Sequence, residues 1–458
     1  MPSQLLHVLH GLAVLEALDA RSRGLGEVSA IEGTEAHSIR GRKLRGGSAI
    51  EGTKAHSIRG RKLREGSAIK GAEALVAKNQ LLRAGPTMES SEPRAGPEMR
   101  GLSVHGLLSL GEAARILREP SFLPSFCLGC QGPDIFYHNQ RTRPVGLEYG
   151  SLMHRRRYGA VTAVLLGEAL ERFRIGDGAD RELAYALGFA MHAFLDRALH
   201  PYIISRSGSG GNAAETAARA LYHIFLERLL DAAFLEECRA ESWFQPLGSW
   251  FERADESKLL ACSVRQAEIL AEPARALAGL LVPLFSRALV SAYPERAGRD
   301  RLLEQRLGNA FSDAAYFFEH TDPRRARAQF SSAESGGMSL VRARYLAAIL
   351  YPSALPHDVD VLNTQGAPWL HPCEGEGVLH SSVRELFDSA VQNAAEAIAC
   401  TWEMPGAENI SACIGNASLS TNDAEGRTCQ PRHFSPLPME MLLEAQAAAW
   451  WDEFQDRI

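Results

Sequence analysis

Apolar residues recur at three- and four-residue steps over most of the chain, with Ala, Leu, Arg and Glu filling the windows between them. That periodicity puts one side of a helix against a core. It predicts helices from Gln4 to about Leu18, where Leu5, Leu9, Leu12 and Leu15 share a face, and around Leu107 to Arg118. Further helices are expected over Leu259–Ala271, Ala274–Tyr293, Leu302–His320, Val383–Ala399 and Met439–Gln455. Few segments are β-rich, so the expected fold class is all-α. Two stretches break the pattern. Between Gly24 and Gly101 a 19-residue unit appears twice (VSAIEGTEAHSIRGRKLRG, GSAIEGTKAHSIRGRKLRE) and then decays, running on into a Pro/Gly/Ser-rich linker. Its copies carry too few apolar residues to build a solenoid, and a duplicated insertion is the simpler account. From Pro405 to Pro438, Asn, Ser, Gly and Pro predict an irregular excursion.

The organisation expected is a helical domain from 1–23 and 103–400, an insertion over 24–102, and an irregular segment plus a helix over 401–458. A chain of 458 residues can bury one large core or a few smaller ones. The net charge of −6 gives no electrostatic reason to expect a stable nucleic acid complex. MPSQLLHVLHGLAVLEAL has no basic leader and no cleavage site, no run of 18 uncharged apolar residues is present, and the 8 cysteines have no framework spacing. These features predict a cytoplasmic protein without a transmembrane segment, its cysteines free thiols. Cys127 and Cys130 form a CxxC with no second pair to complete a metal site, and are expected to be buried small side chains.

Candidate chemistry concentrates between Tyr185 and Asp231. His192, Asp196 and His200 stand at steps of four, and after a Gly/Ser/Asn-rich break His223 and Glu227 are again four apart. Steps of four stack side chains on one helix face at about 6 Å of rise. His192 and His200, about 12 Å apart on that axis, cannot share one ion, so Asp196 would bridge two. Pro201 predicts that the helix ends beside His200. Buried without partners, five such groups would each cost several kcal/mol, roughly, and coordination removes that cost. Imidazole and carboxylate donors suit zinc. Outside this stretch, Asp134 sits in a Gly-Pro-Asp turn, and His154 in GSLMH is expected at the start of a helix.

MPSQLLHVLHG, LGCQGPDIFYH, GSLMH, GFAMHAFLDRALHPYI and YHIFLERLLD, taken together and in that order, resemble the bacterial zinc-dependent phospholipase C family, in the short form of its intracellular branch. The resemblance implies a multi-helix domain, akin to the zinc nucleases, with two or three zinc ions. It implies that Asp134, His154, His192 and Asp196 hold one ion, that His200, His223 and Glu227 hold a second, and that His7 serves a third by sharing Asp196. Asp134 would also orient or deprotonate the attacking water, a metal-activated nucleophile that hydrolyses a phosphodiester bond, in a phospholipid before other esters. Tyr137, Tyr149 and the run Arg155-Arg156-Arg157 lie beside these positions as possible substrate contacts. Met1-Pro2 stands where the secreted enzymes carry an N-terminal Trp ligand. A single-strand nuclease and an inactive metal-stabilised scaffold are the alternative functions.

Overall fold

The computed structural model describes residues 4–35, 109–208, 213–244, 251–252, 263–322, 340–352, 354–374, 377–423 and 429–455. The second and third copies of the 19-residue unit and the Pro/Gly/Ser-rich linker lie outside them. Helices dominate as expected, and the strands are two short antiparallel pairs. β1 (Phe251–Glu252) pairs with β2 (Ser263–Val264), with Phe251 opposite Val264, and β3 (Trp369–Leu370) pairs with β4 (Val378–Leu379), with Trp369 opposite Leu379.

In chain order the helices are α1 (Gln4–Glu35), α2 (Leu110–Ile116), α3 (Leu123–Gly129), α4 (Leu147–Arg155), α5 (Tyr158–Arg174), α6 (Asp180–Ser207), α7 (Ala213–Cys238), α8 (Glu272–Ala292), α9 (Leu303–His320), α10 (Leu340–Ile349), α11 (Val383–Glu403), α12 (Ala407–Ile414) and α13 (Met439–Gln455). A 3-10 turn, Gly132–His138, joins α3 to α4. The organising element is α6. Tyr185, Leu187, Phe189, Ala190, Ala193 and Leu195 are buried at positions that run right round the helix, the signature of a central rather than a surface helix. It is packed by α3, α5, α11, α7 and α1. Gly188 lets α3 approach closely, since a Cβ there would collide with the Phe126 carbonyl.

Several expectations change. α6 does not stop at Pro201 but runs to Ser207. Proline removes one backbone donor, and here tertiary bonds hold the turn beyond it. The Tyr202 hydroxyl donates to the Val361 carbonyl at 2.8 Å, and Arg206 donates to Asn363 Oδ1, Ala367 O and Ser435 O. His154 lies in the last turn of α4 rather than at a helix start. α1 continues to Glu35, beyond the helix end expected near Leu18. The excursion after Pro405 contains α12, whose Ile410 and Ile414 are buried. Of the helix expected over Leu259–Ala271, the first four residues lie outside the described ones; Ser263–Val264 form β2, and a π-helical turn, Ala267–Ala271, leads into α8.

Four cysteines pair, Cys373 with Cys429 and Cys400 with Cys413, whereas Cys127, Cys130 and Cys238 are free and buried. Free thiols were the expectation for all of them. Separations of 56 and 13 residues form no recognisable framework, and only the packing of the C-terminal segments brings those Cα atoms to 5.9 and 6.5 Å. Among the described residues one helical run, Ala267–Ala292, is long and apolar enough to cross a membrane by length and composition. Its Leu277, Leu281, Leu284, Phe285, Ala288 and Leu289 are buried in the core, while Leu280 and Val290 on the other side are exposed.

Candidate metal centre

The helical column survives Pro201 intact, so His192, Asp196 and His200 project from one face of α6 toward two neighbouring groups of donors. In the first, one ligand atom each from His7, Asp134, His192 and Asp196 lies within 4.8 Å of the others, and all four residues are buried. His7 Nε2 is 3.1 Å from Asp196 Oδ1, and His192 Nε2 is 3.0 Å from Asp196 Oδ2 and 3.5 Å from Asp134 Oδ2. His154 joins at the edge, its Nε2 2.9 Å from Asp134 Oδ1 and 3.6 Å from Asp196 Oδ2. In the second group His200, His223 and Glu227 come together, with Glu227 Oε1 3.1 Å from His223 Nε2 and 3.5 Å from His200 Nε2. Asp196 touches His7, His154 and His192, and so stands where a bridging carboxylate would.

Backbone contacts set the histidine tautomers. A carbonyl oxygen only accepts, so Nδ1–H of His192 donates to Cys130 O at 3.0 Å, and Nδ1–H of His154 donates to Gly150 O at 2.8 Å. With a metal bound, both rings would then present the Nε2 lone pair inward, the arrangement that outer-shell partners give metal-bound imidazoles. Gly132 makes this geometry possible. Its φ is +54°, and a Cβ there would collide with the His192 ring. The 3-10 turn can therefore bring Asp134 against α6.

Asp231 has no counterpart in the sequence reading. Its carboxylate accepts the backbone N–H groups of Gln4, Leu5 and Leu6 at 3.1, 3.1 and 2.8 Å, capping the first turn of α1 from another helix. Arg228 donates to Asp231, to Gln4 Oε1 and to the Tyr351 hydroxyl, and Gln131 Nε2 donates to Gln4 O. This clamp fixes His7, whose ring stacks on His192 with centroids 4.0 Å apart. The signal was present in the sequence, because 223, 227 and 231 continue one column at steps of four. His10, one turn further along α1, belongs to the core instead. It meets Phe387 edge-on, and burial pushes its pKa down to about 3.

Electrostatics show what the first group requires. Burial by itself would lower the pKa of His192, yet the charges of Asp196 and Asp134 raise it to about 9. His7 moves the other way, lowered by burial and by the charge of His192. In the absence of metal, a proton on His192 thus supplies the positive charge that two buried carboxylates demand. The fit to a cation is tested further by Asp134 Oδ2 and His154 Nε2, both buried and without a hydrogen-bond partner among the described residues. Ligands about 2.1 Å from a shared zinc lie at most about 4.2 Å apart, so the first group needs only a slight contraction to close on an ion. Imidazole and carboxylate donors in these numbers suit zinc.

One consequence is measurable. Below pH 9 a metal must displace the His192 proton, so loading at pH 7 should release close to one proton at the first group, and release should vanish as pH rises past 9. Calorimetric zinc titration in buffers of different ionisation enthalpy reads this directly. Pairing that is independent of buffer at pH 7 would contradict it.

A cavity of about 200 Å³ opens over both groups, lined by Asp134, Tyr137, His154, His200, Ile204, His223 and Ser420. Burial holds the Tyr137 phenol protonated, so its hydroxyl is a neutral group beside the donors. The other suggested contacts lie elsewhere. Tyr149 donates to Asp300 at 2.8 Å, Arg155 bonds Ser151 O, and Arg157 bonds Ala292 O. The CxxC acts through backbone only, by the Cys130 carbonyl, and burial pushes the Cys127 thiol up to about 12.

Residues 107–276 match the family model described as zinc dependent phospholipase C. The match covers Asp134, His154, His192, Asp196, His200, His223 and Glu227, and leaves out His7 on α1 and Ser420 beyond α12. No curated protein and no solved structure matches the chain at a significant level. The family is zinc-dependent by its description, and in this chain the candidate metal-binding groups fall within or beside the matched residues.

Proposed function

We propose that the protein is a zinc-dependent phosphodiesterase that cleaves the phosphodiester bond of a phospholipid, with His7, Asp134, His154, His192 and Asp196 around one or two ions and His200, His223 and Glu227 around another. The observation that carries this reading is the placement of one cavity over both donor groups, bordered by Asp134 and His154 from the first and His200 and His223 from the second. When bound, two or three divalent ions neutralise charge growing on phosphoryl oxygens and lower the pKa of a water molecule toward 7. Asp134 does two things. One oxygen lies beside His154, while the other is buried without a hydrogen bond, close enough to the cavity to hold a water and accept its proton. Tyr137 offers its neutral hydroxyl to a phosphoryl oxygen.

A nuclease is a poorer fit to this cavity. Stacking a base and tracking a polyanionic strand call for aromatic platforms and Lys or Arg side chains. Among the described lining residues Tyr137 is the one phenol, and none is Lys or Arg. The deciding experiment measures zinc per chain in purified protein and compares hydrolysis of phosphatidylcholine vesicles with that of single-stranded DNA, each with and without chelator. Two or three ions and chelator-sensitive lipid cleavage are expected. Faster DNA cleavage would replace the lipid reading, and metal without hydrolysis of either would favour the inactive scaffold.

A further inference from the structure

One lining residue of the cavity, Ser420, comes from a part of the chain that no metal-ligand pattern touches. After α12, residues 416–423 form a closed turn. Ser418 N donates to Asp423 O at 2.9 Å, Asn422 N donates to Ser418 O at 3.0 Å, and Asn422 takes the left-handed φ of 54° that such a turn needs. Ser420 is at its apex and lines the cavity.

Three sets of contacts hold this turn. Arg197 on α6 donates to the carbonyls of Ile414, Gly415 and Ala417 at 2.6, 3.0 and 3.4 Å. At the start of α5, where helical N–H groups have no partner within the helix, Gly159 N donates to Gly415 O and Ala160 N to Asn416 Oδ1. The disulfide Cys400–Cys413 ties α12 to α11. The turn is also bonded to the metal site. Leu419 N donates to His154 O at 2.8 Å and the Ser418 hydroxyl to the same oxygen at 3.3 Å. His154 ends a helix, so its carbonyl would otherwise lack a partner. Ser418 and Thr421 use their hydroxyls within this scaffold, Thr421 on Asp423 at 2.7 Å. Ser420 sits between them, half-buried, on the cavity side.

From this arrangement we propose that Ser420 is a specificity-determining residue, its hydroxyl hydrogen-bonding the polar alcohol substituent of the phosphodiester while the phosphoryl group lies over the histidines and Asp134. The proposal rests on the phosphodiesterase reading above. Of the cavity's lining, Asp134, His154, His200 and His223 face the ions and Tyr137 the phosphoryl group, which leaves Ile204 and Ser420 for the substituent. A hydroxyl there favours substituents that carry a donor or acceptor, such as ethanolamine or glycerol, over a bare alkyl group.

The test uses zinc-loaded full-length wild type, Ser420→Ala and Ser420→Thr. Substrates are p-nitrophenyl phosphodiesters whose second alcohol is methanol, ethanolamine or glycerol. Binding of the matching 4-nitrobenzylphosphonate monoesters, whose P–C bond is not cleaved, is measured by calorimetry. Zinc content and thermal midpoint are expected to be unchanged in both variants. Ser420→Ala should lose about tenfold in kcat/KM, and in phosphonate affinity, for the ethanolamine and glycerol compounds while the methyl compounds change little. Ser420→Thr, which keeps the hydroxyl, should retain most of the preference. An Ala variant that is unchanged, or that falls equally on all three esters, overturns the role of Ser420 and leaves the phosphodiesterase reading standing. If wild type binds the phosphonates with a Ser420-dependent preference but cleaves no ester, the enzyme reading fails and the recognition role stands. Neither binding nor cleavage overturns both.

Discussion

Replacing Asp196 by Asn is expected to remove at least one zinc ion per chain and to lower phosphodiester hydrolysis by about a thousandfold or more. The carboxylate is the most connected group of the site, within 3.1 Å of His7 and His192 and 3.6 Å of His154. Asn keeps the volume and loses the charge. One amide oxygen cannot bridge two cations, and the amide nitrogen would direct its hydrogens at Nε2 atoms that must offer lone pairs. Changes outside the ligand shell of metal sites already cost about ten- to a hundredfold, and a bridging ligand should cost more. Elemental analysis and hydrolysis rates of the purified variant check the expectation, and wild-type metal content with a wild-type rate would refute it.

The second large effect is expected from a residue with no side chain. Gly132→Ala should destabilise the metal-free protein by about 2–4 kcal/mol, the sum of left-handed strain and overpacking, and should deplete the first donor group of metal. The new methyl group would strike the His192 ring, and the ring cannot retreat, held by Cys130 O on one side and stacked on His7 on the other. Gly178 supplies the control. Its φ is also positive, at +64°, but the space around it is open, so Gly178→Ala should cost only the backbone term of about 1 kcal/mol. Denaturant unfolding of the two variants separates collision from conformation. Equal losses would mean that contact with His192 contributes nothing.

These two residues also mark where the sequence speaks and where it is silent. Asp196 was legible, because helical spacing alone puts it between His192 and His200, and neither Pro201 nor any tertiary contact disturbs that column. His7, Asp134 and His154 needed resemblance to a family, since nothing local relates a residue of α1 to a turn beyond residue 130. Gly132 could be seen as part of a Gly-Pro-Asp turn, but that its missing Cβ faces an imidazole is a fact of packing. Pro201 misled because the bonds that carry α6 onward come from Tyr202 and Arg206 to residues beyond 360. The 416–423 turn was hidden for a related reason. Its Asn, Ser and Thr content describes a loop well enough, while its place beside the cavity is decided by Arg197, by the first N–H groups of α5 and by a disulfide of short span. Local chemistry thus showed the ligand types, and long-range packing decided which of them come together.

The Asp231 clamp bears on how the molecule is made. It joins positions 227 apart, and the bond from Ser418 to His154 joins positions 264 apart. On the ribosome, α1 must wait with its apolar surface uncovered until α7 has been translated, and the cavity lining is complete only after residue 420 has left the exit tunnel. Contacts of such span close slowly, so nascent chains of this protein should need shelter from aggregation before they can hold a metal ion.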